Sequence, residues 1–419
     1  MKKIEILKLP PYYYPERISS SHLTCDLNEA FRDAGLHTTA YVPMPCRGID
    51  DATRKSYKSI KHQILEHESI DIYRFSMYKE GVNPVGRALR YILCNIIQYY
   101  RGVKTPNVDV VFAGSTPPTQ GILCGKVAKK LSKKYGYKVP FIYNLQDVFP
   151  DSLVSSGMTS TGSLVWKIGR VIENYTYKNA DKIVVIGEDI KKNIVNKGVP
   201  ENKVVIIPNW IDITKVVSVE RENNKLFDEL NIDRDKFIVT YAGNMGTAQG
   251  IDTIFQAAKL LKDNTNILFV IFGGGIHKQR YSEMAEMLHN VKVFDLYPAD
   301  RVSEVYSLGD LSIVSCKKGV GYGAVPSKSL SIMATGTPVI LSFDEDTELW
   351  DLVKKNDCGY VSPAEDSNYL AKVILEASLE SDVVLKKGNN ARNTVIRLFS
   401  KELCTQKYVE LFLEMTSRE

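Results

Sequence analysis

Short apolar runs alternate along this chain with longer stretches in which apolar residues recur every three or four positions. The first pattern fits strands buried in a sheet, and the second fits amphipathic helices. In the first half, strands are predicted at 4–9, 38–43, 70–75, 108–113, 140–145, 182–186 and 204–207. Helices are predicted over 20–34, 84–100, 118–135, 162–178 and 188–196. The segment 209–236 is polar and charged and reads as a connection with one short helix. A second alternation follows, with strands at 237–242, 267–272, 291–296, 311–316, 338–343 and 359–362. Its helices fall at 250–262, 278–289, 301–308, 326–335, 346–356 and 367–380, and two more at 382–398 and 400–416 close the chain. Strand–helix alternation of this kind implies α/β architecture with doubly wound parallel sheets. In such sheets ligands sit at the carboxyl ends of the strands.

Composition narrows the picture only a little. The 419 residues suffice for two domains, and 44% apolar with 25% charged is ordinary for a globular chain. A net charge of +5 is too small to argue for nucleic acid but suits anionic small ligands or an anionic membrane surface. The seven cysteines are scattered without a CxxC, and the six histidines show no metal-binding spacing. Free thiols, no metal and a cytoplasmic setting are therefore expected. The N-terminal MKKIEILKL lacks a signal-peptide core, and no run of eighteen apolar residues exists to span a membrane.

Three glycine-bearing turns carry the candidate chemistry. YAGNMGTAQG, residues 241–250, joins a strand to a helix. Glycines there allow close backbone approach, and free N–H groups at a helix start favour an anion. Gly273, Gly274 and Gly275 follow the next strand, where glycine can lie against a flat base or ribose. The third stretch, VPSKSLSIMATGTPVI at 325–340, places Pro326 at a first helical position, Gly336 just past the helix end and Lys328 in the first turn. A cation there opposes the helix dipole. A phosphate bound at the helix mouth would reverse that penalty; a lysine snorkelling to water is the alternative.

Together these stretches resemble glycosyltransferase family 4, a family of GT-B fold, over nearly the whole chain. The resemblance rests on YAGNMGTAQGIDTI, VIFGGG, VPSKSLSIMATGTPVI and TELWDLVKKNDCGYVSP in the second half. In the first half it rests on PPYYYPERISSSHLTCDLNEAFRDAGLHTTAYVP, YNLQDVFPDSL and VVIIPNWID. It implies two Rossmann-like domains facing across a cleft: 1–208 for the acceptor, 209–395 for a nucleotide sugar, and a C-terminal helix in 396–419 returning to the first domain. Many members carry an Arg and a Lys in the first donor turn, where this chain has Asn244 and Gln249. Many carry two glutamates eight positions apart, where it has Gly323 and Ser331. The chain thus resembles a bacterial surface-polysaccharide subgroup, N-acetyl-fucosaminyltransferase-like, with an AQG turn and a Pro-Ser-Lys helix start.

The resemblance implies a retaining transfer from a UDP-sugar to a lipid-linked saccharide in O-antigen or capsule assembly, with no cofactor. It assigns the reaction to Lys328, Asn244 and Asp147, and donor binding to Gly243, Gly246, Gln249, Gly274, Gly275, Ser327 and Ser331. The acceptor is expected near Ser19–His22, Ser115–Thr116 or Asp147, which serves equally well as a helix cap. A UDP-sugar epimerase and a non-catalytic sugar-nucleotide binder remain as rival classes.

Two motifs read as decoys. GVGYGA, 319–324, with Asp344 beyond it, mimics a dinucleotide fingerprint, but two lysines separate strand from glycines and the helix starts late. Asp344-Glu-Asp346 mimics the metal-binding DxD of transferases of another fold and reads as a loop or cap. Lys126, Lys129, Lys130, Lys133 and Lys134 share one helix face. That face is either simply solvated or a peripheral contact with an anionic membrane at the inner face of the cell membrane. Arg87, Arg90 and the run 91–100 either join that patch or form buried core.

Overall fold

The computed structural model describes residues 3–16, 21–81, 83–155, 157–322 and 326–417. The chain divides into two compact units, Met1–Pro208 with Cys404–Glu419, and Asn209–Leu403.

The first unit holds an eight-stranded sheet: β1 (Ile4–Lys8), β2 (Leu36–Pro43), β3 (His62–Leu65), β4 (Ile70–Phe75), β5 (Val110–Gly114), β6 (Phe141–Leu145), β7 (Lys182–Val185) and β8 (Val204–Ile206). Their order is β3-β4-β2-β1-β5-β6-β7-β8. Every pair is parallel except β3 with β4. The pattern does not announce β3, because its residues are alternately exposed and half-buried and two of the four are polar. A short, polar strand is what a sheet edge requires.

The second unit holds β9 (Phe237–Asn244), β10 (Ile267–Gly274), β11 (Val291–Phe294), β12 (Leu311–Ser315), β13 (Val339–Phe343) and β14 (Gly359–Pro363). The order β11-β10-β9-β12-β13-β14 is all parallel. The winding direction reverses between β9 and β12, so a crevice opens beyond their carboxyl ends. β9 and β10 outrun their apolar stretches. Their ladder continues through Gly273↔Gly243 and Gly274↔Asn244, so glycines expected to form turns are still in sheet.

The polar segment 209–236 is more than a connection. Leu226 and Phe227, in the short helix Leu226–Glu229, are fully buried in the core of the second unit. Arg221 anchors the segment with two hydrogen bonds to the Asp310 carboxylate, at 2.6 and 2.7 Å. The helix Pro84–Gly102 departs from the buried-core reading of 91–100, since its apolar face points to solvent. All seven cysteines are free. Among the described residues, no helix is long and apolar enough to cross a membrane.

The last two helices part company. Helix Ser381–Phe399 stays on the second unit, where Gly388 lies so close to Gly336 that a methyl group would overlap its carbonyl. Helix Lys401–Thr416 packs on the first, its Phe412 ring 4.6 Å from Phe31 and 5.3 Å from Phe112. The expected segment 396–419 is thus shared, changing units at Cys404 rather than at residue 396. Phe412→Ala removes the fully buried ring of this cluster, so the first unit should lose about 3–5 kcal/mol of stability. Urea unfolding of the variant should show that loss; an unchanged midpoint would mean that the helix does not hold the unit together.

Candidate functional site

Beyond the ends of β9 and β12, within the second unit, lies a cavity of about 460 Å³. One wall is the turn after β9. Tyr241 Oη donates to the Asn244 carbonyl at 2.8 Å, and Met245 N–H donates to the Gly274 carbonyl at 2.6 Å. Gly250 then turns left-handed, φ 61°, where a Cβ would stand 2.8 Å from the Cys316 carbonyl oxygen. Only glycine lets this turn meet the end of β12. Two bonds complete the junction: Ser315 Oγ to the Gln249 carbonyl at 2.7 Å and Lys317 N–H to the Ala248 carbonyl at 2.9 Å.

The opposite wall is the mouth of the helix Ser327–Ala334. Pro326 flanks the helix rather than opening it, so the first turn begins at Ser327. Lys328 reaches back across the cavity and places Nζ 4.1 Å from the centre of the buried Tyr241 ring. A cation over an aromatic face is attracted electrostatically. Among the described residues no carboxylate pairs with Lys328. Burial pulls its ammonium from 10.5 down to about 8. Of the first-turn N–H groups, that of Ser329 donates to the Pro326 carbonyl at 3.0 Å, and the helix start as a whole still favours an anion.

The cavity is chemically two-ended. Asn244, Gln249, Ser327 and Lys328 mark one end, and Phe272, Leu296, Tyr297, Pro298 and Val302 mark the other. Among the described lining residues Lys328 is the single charged group, and there is no carboxylate or imidazole. Such a site suits a ligand with an anionic part and a flat or apolar part. A nucleoside diphosphate has that form.

The site residues expected from the sequence separate in space. Gly243, Asn244, Gln249, Ser327 and Lys328 line the cavity together. Gly246, Gly274, Gly275 and Ser331 do not. Gly246 lies against the Asn244 and Gln249 side chains, and Gly275 makes room for Asn244 and Met245. Gly274 faces Leu296, and Ser331 sits half-buried farther along its helix. Gly323 and Ser19 lie outside the described residues.

Asp147 belongs to the first unit and is exposed just past β6, and among the described residues it makes no hydrogen bond to the following helix Asp151–Ser155. Its neighbour Gln146 donates its backbone N–H to Ser115 Oγ at 3.2 Å, so the loops after β5 and β6 are joined. His22 is exposed on helix Ser21–Asp33.

Three contributors escaped the sequence reading. Tyr241 looks like ordinary core in a strand, and only the fold sets its ring beneath Lys328. Residues 295–298 were expected partly in strand, yet β11 ends at Phe294 and frees Leu296–Pro298 to line the apolar end. Asp344, weighed as a metal-binding decoy, is buried and accepts the Gly319 and Gly321 N–H groups, each at 2.8 Å. It shapes the loop leading to Lys328. Gly321 abuts Phe343 and Asp344, and Gly319 turns left-handed at φ 83°, so the two serve the fold of this loop. Among the described residues no cluster of three or more His, Cys, Asp or Glu is suited to a metal.

A cation that titrates near 8 makes anion binding pH-dependent. Lys328 is charged below that value and increasingly neutral above it, so affinity for a nucleoside diphosphate should fall as pH rises. Between pH 7 and pH 9 the fall should be roughly tenfold. Calorimetry with UDP across that range checks this, with Lys328→Ala as the control that should be flat. A wild-type profile as flat as the variant's would remove Lys328 from the phosphate site.

Comparison with known proteins agrees with this geometry. Residues 23–215 match the family model described as Glycosyltransferase Family 4, and residues 222–394 match that of Glycosyl transferases group 1. Over 294 residues the chain is 26% identical to the putative colanic acid biosynthesis glycosyl transferase WcaI of Escherichia coli (strain K12), covering 69% of this chain and 70% of that protein. It is 21% identical to the UDP-Gal:alpha-D-GlcNAc-diphosphoundecaprenol alpha-1,3-galactosyltransferase of Escherichia coli, over 77% of this chain and 79% of that one. Among solved structures, sucrose-phosphate synthase from Thermosynechococcus elongatus superposes with a TM-score of 0.74 at 16% identity, over 99% of both chains. With each half matched by its own model and the GT-B fold shared throughout, the chain belongs to glycosyltransferase family 4 and is a glycosyltransferase.

Proposed function

We propose that this enzyme transfers a sugar from a UDP-sugar to a lipid-linked oligosaccharide, with retention of anomeric configuration, during assembly of a surface polysaccharide such as O-antigen or capsule. The sugar is an N-acetylated hexosamine or deoxyhexosamine. The observation that carries the donor reading is Lys328 at a helix mouth, the one charged group among the described lining residues of a cavity that is otherwise neutral and largely apolar. The names of two relatives support a surface-polysaccharide role and a lipid-linked acceptor, one named for colanic acid biosynthesis and one with a diphosphoundecaprenol-linked acceptor.

In this reading the uridine occupies the apolar end and the diphosphate lies between the β9 turn and the first turn of helix Ser327–Ala334. Breaking the anomeric C–O bond moves negative charge onto the diphosphate. Lys328 and the helix N–H groups are already oriented to receive it, which lowers the barrier without reorganisation. Asn244 and Gln249 supply neutral hydrogen bonds where charge is common in the family. In the first unit, Asp147 and Ser115 are the residues proposed to bind the acceptor. An epimerase would need proton-transferring groups at the sugar, and the described cavity lining carries no carboxylate or imidazole.

Incubation with UDP-N-acetylhexosamines tests the reading: UDP release should require a lipid-linked acceptor, whereas a new epimer without release would support the rival. Lys328→Ala should weaken UDP binding by about 1.5–3 kcal/mol, the range for hydrogen bonds to charged groups, while leaving the fold intact. Activity should persist in EDTA. Asp344→Ala, which frees two backbone N–H groups of the loop, should raise the KM for donor whether or not divalent metal is present. Loss of activity with chelator and its recovery with Mn²⁺ would instead make Asp344 a metal ligand.

A further inference from the structure

Helix Pro84–Gly102 is turned inside out. Its outward face carries Val85, Leu89, Ile92, Leu93, Ile96 and Tyr100, all exposed, with Val85 at 68% and Tyr100 at 61%. Its inward face carries Arg90 and Gln98, both 0% exposed. A helix on the surface of a protein surrounded by water shows the opposite arrangement. The orientation is locked from inside. Arg90 donates Nε to the Tyr78 carbonyl at 3.2 Å and Nη2 to Cys46 Sγ at 3.1 Å. Gln98 Nε2 donates to the Pro10 and Tyr41 carbonyls, each at 2.9 Å. Rotating the apolar residues inward would strand these groups, so the apolar face is built to stay outside.

A second apolar face continues the first. On helix Leu164–Asn179, Leu164, Ile168 and Val171 are exposed at helical spacing, with Met158 exposed ahead of them. Helix Thr119–Tyr135 lies between the two. Gln120 donates to Asn95 at 3.3 Å on one side, and on the other Gly121 sits so close to Thr176 that a methyl group would overlap it. This middle helix contributes exposed Lys126, Lys129, Lys130 and Lys133, none of which has an ion-pair partner among the described residues. Apolar side chains flanking a lysine row have the composition of a surface that inserts shallowly among lipids and pairs with their anionic headgroups. The charged residues Arg87, Arg90 and Arg101 keep helix Pro84–Gly102 from crossing a bilayer, so it lies in the interface plane.

We infer that these three helices form a docking face for an anionic phospholipid bilayer, with helix Pro84–Gly102 as the inserting element. The same helix is tied to the loop after β1. Tyr12 Oη bonds Glu80 at 2.5 Å and Tyr91 Oη at 2.6 Å, and the Glu80 carboxylate pairs with Arg87 at 2.8 Å. Docking therefore holds the carboxyl-end loop of a central strand at headgroup level, where a lipid-linked acceptor presents its polar part. That purpose rests on the proposed acceptor; the face itself does not.

Flotation of the full chain with vesicles tests the inference. The protein should float with phosphatidylcholine vesicles containing phosphatidylglycerol, and less so in high salt. The triple variant Leu89→Ser, Ile92→Ser, Ile96→Ser should lose at least tenfold in partitioning. Lys126→Glu with Lys130→Glu should abolish the preference for phosphatidylglycerol. Because all the replaced side chains are exposed and belong to the first unit, whereas the cavity is lined by the second, UDP affinity by calorimetry should stay unchanged in each variant, which also reports folding. Wild-type protein that stays with the unbound fraction, or serine variants that float as well as wild type, would overturn the proposal. So would a wild-type dimer that ignores vesicles and becomes monomeric in the serine variant, since that would make the face a contact between copies. Vesicle binding without sugar transfer would leave the docking face standing and defeat the proposed acceptor instead.

Discussion

The cavity of the second unit exists because the turn after β9 is fastened to the end of β12. That fastening depends on a backbone approach which a single Cβ at Gly250 would prevent. Once the turn is seated, Ser315 and Lys317 hold it with one side-chain and one backbone hydrogen bond. The crevice left by the reversal of winding then has a fixed width. Tyr241 becomes the floor beneath Lys328, and the backbone at Gly243 and Asn244 faces the mouth of the next helix. Without that junction the helix mouth would still be an anion-binding end, but its lysine would have nothing to lean on and nothing opposite it.

Electrostatics then follows from what is missing as much as from what is present. A charged lysine held in a half-buried, aromatic place without a carboxylate is unfavourable by itself, and its lowered pKa expresses this. An anion bound beside Lys328, as proposed for the donor diphosphate, would remove that penalty. The family often places its cations in the turn after the first strand of this half. Here that turn is neutral and the charge enters from the facing helix. The leaving diphosphate needs a positive potential, and more than one backbone position can supply it. In the first unit, helix Pro84–Gly102 has the complementary design, burying Arg90 and Gln98 and exposing Leu89, Ile92, Leu93 and Ile96. In both places the proposed partner, an anion in one and a lipid surface in the other, would cancel a local cost.

Glycines were the least legible residues. Gly243 does line the cavity, but Gly274 and Gly275 serve neighbouring side chains, and Gly319 and Gly321 serve the Asp344 clamp. A glycine in sequence says that something comes close; it does not say whether that something is a ligand, a carbonyl or a phenylalanine ring. Asp344 was ambiguous for the same reason, since a carboxylate near glycines fits a metal, a ribose or two amide N–H groups equally well until the loop is folded.

The sequence alone determined the alternation of strands and helices, the two-unit division, the polar start and glycine stop of the helix after β12, and the oddness of Lys328. All of these are local: they depend on periodicity, on backbone conformation and on the dipole of one helix. Tertiary structure decided which of the small and polar residues meet. Tyr241 is eighty-seven positions from Lys328 and comes under it only because β9 and β12 are neighbours. It also decided the outward turn of helix Pro84–Gly102. Periodicity reveals that a helix has an apolar face, but not which way that face points. That choice was made by Arg90 and Gln98, whose hydrogen-bond partners lie on distant strands and loops, and buried polar groups left without partners cost more than apolar ones left in water.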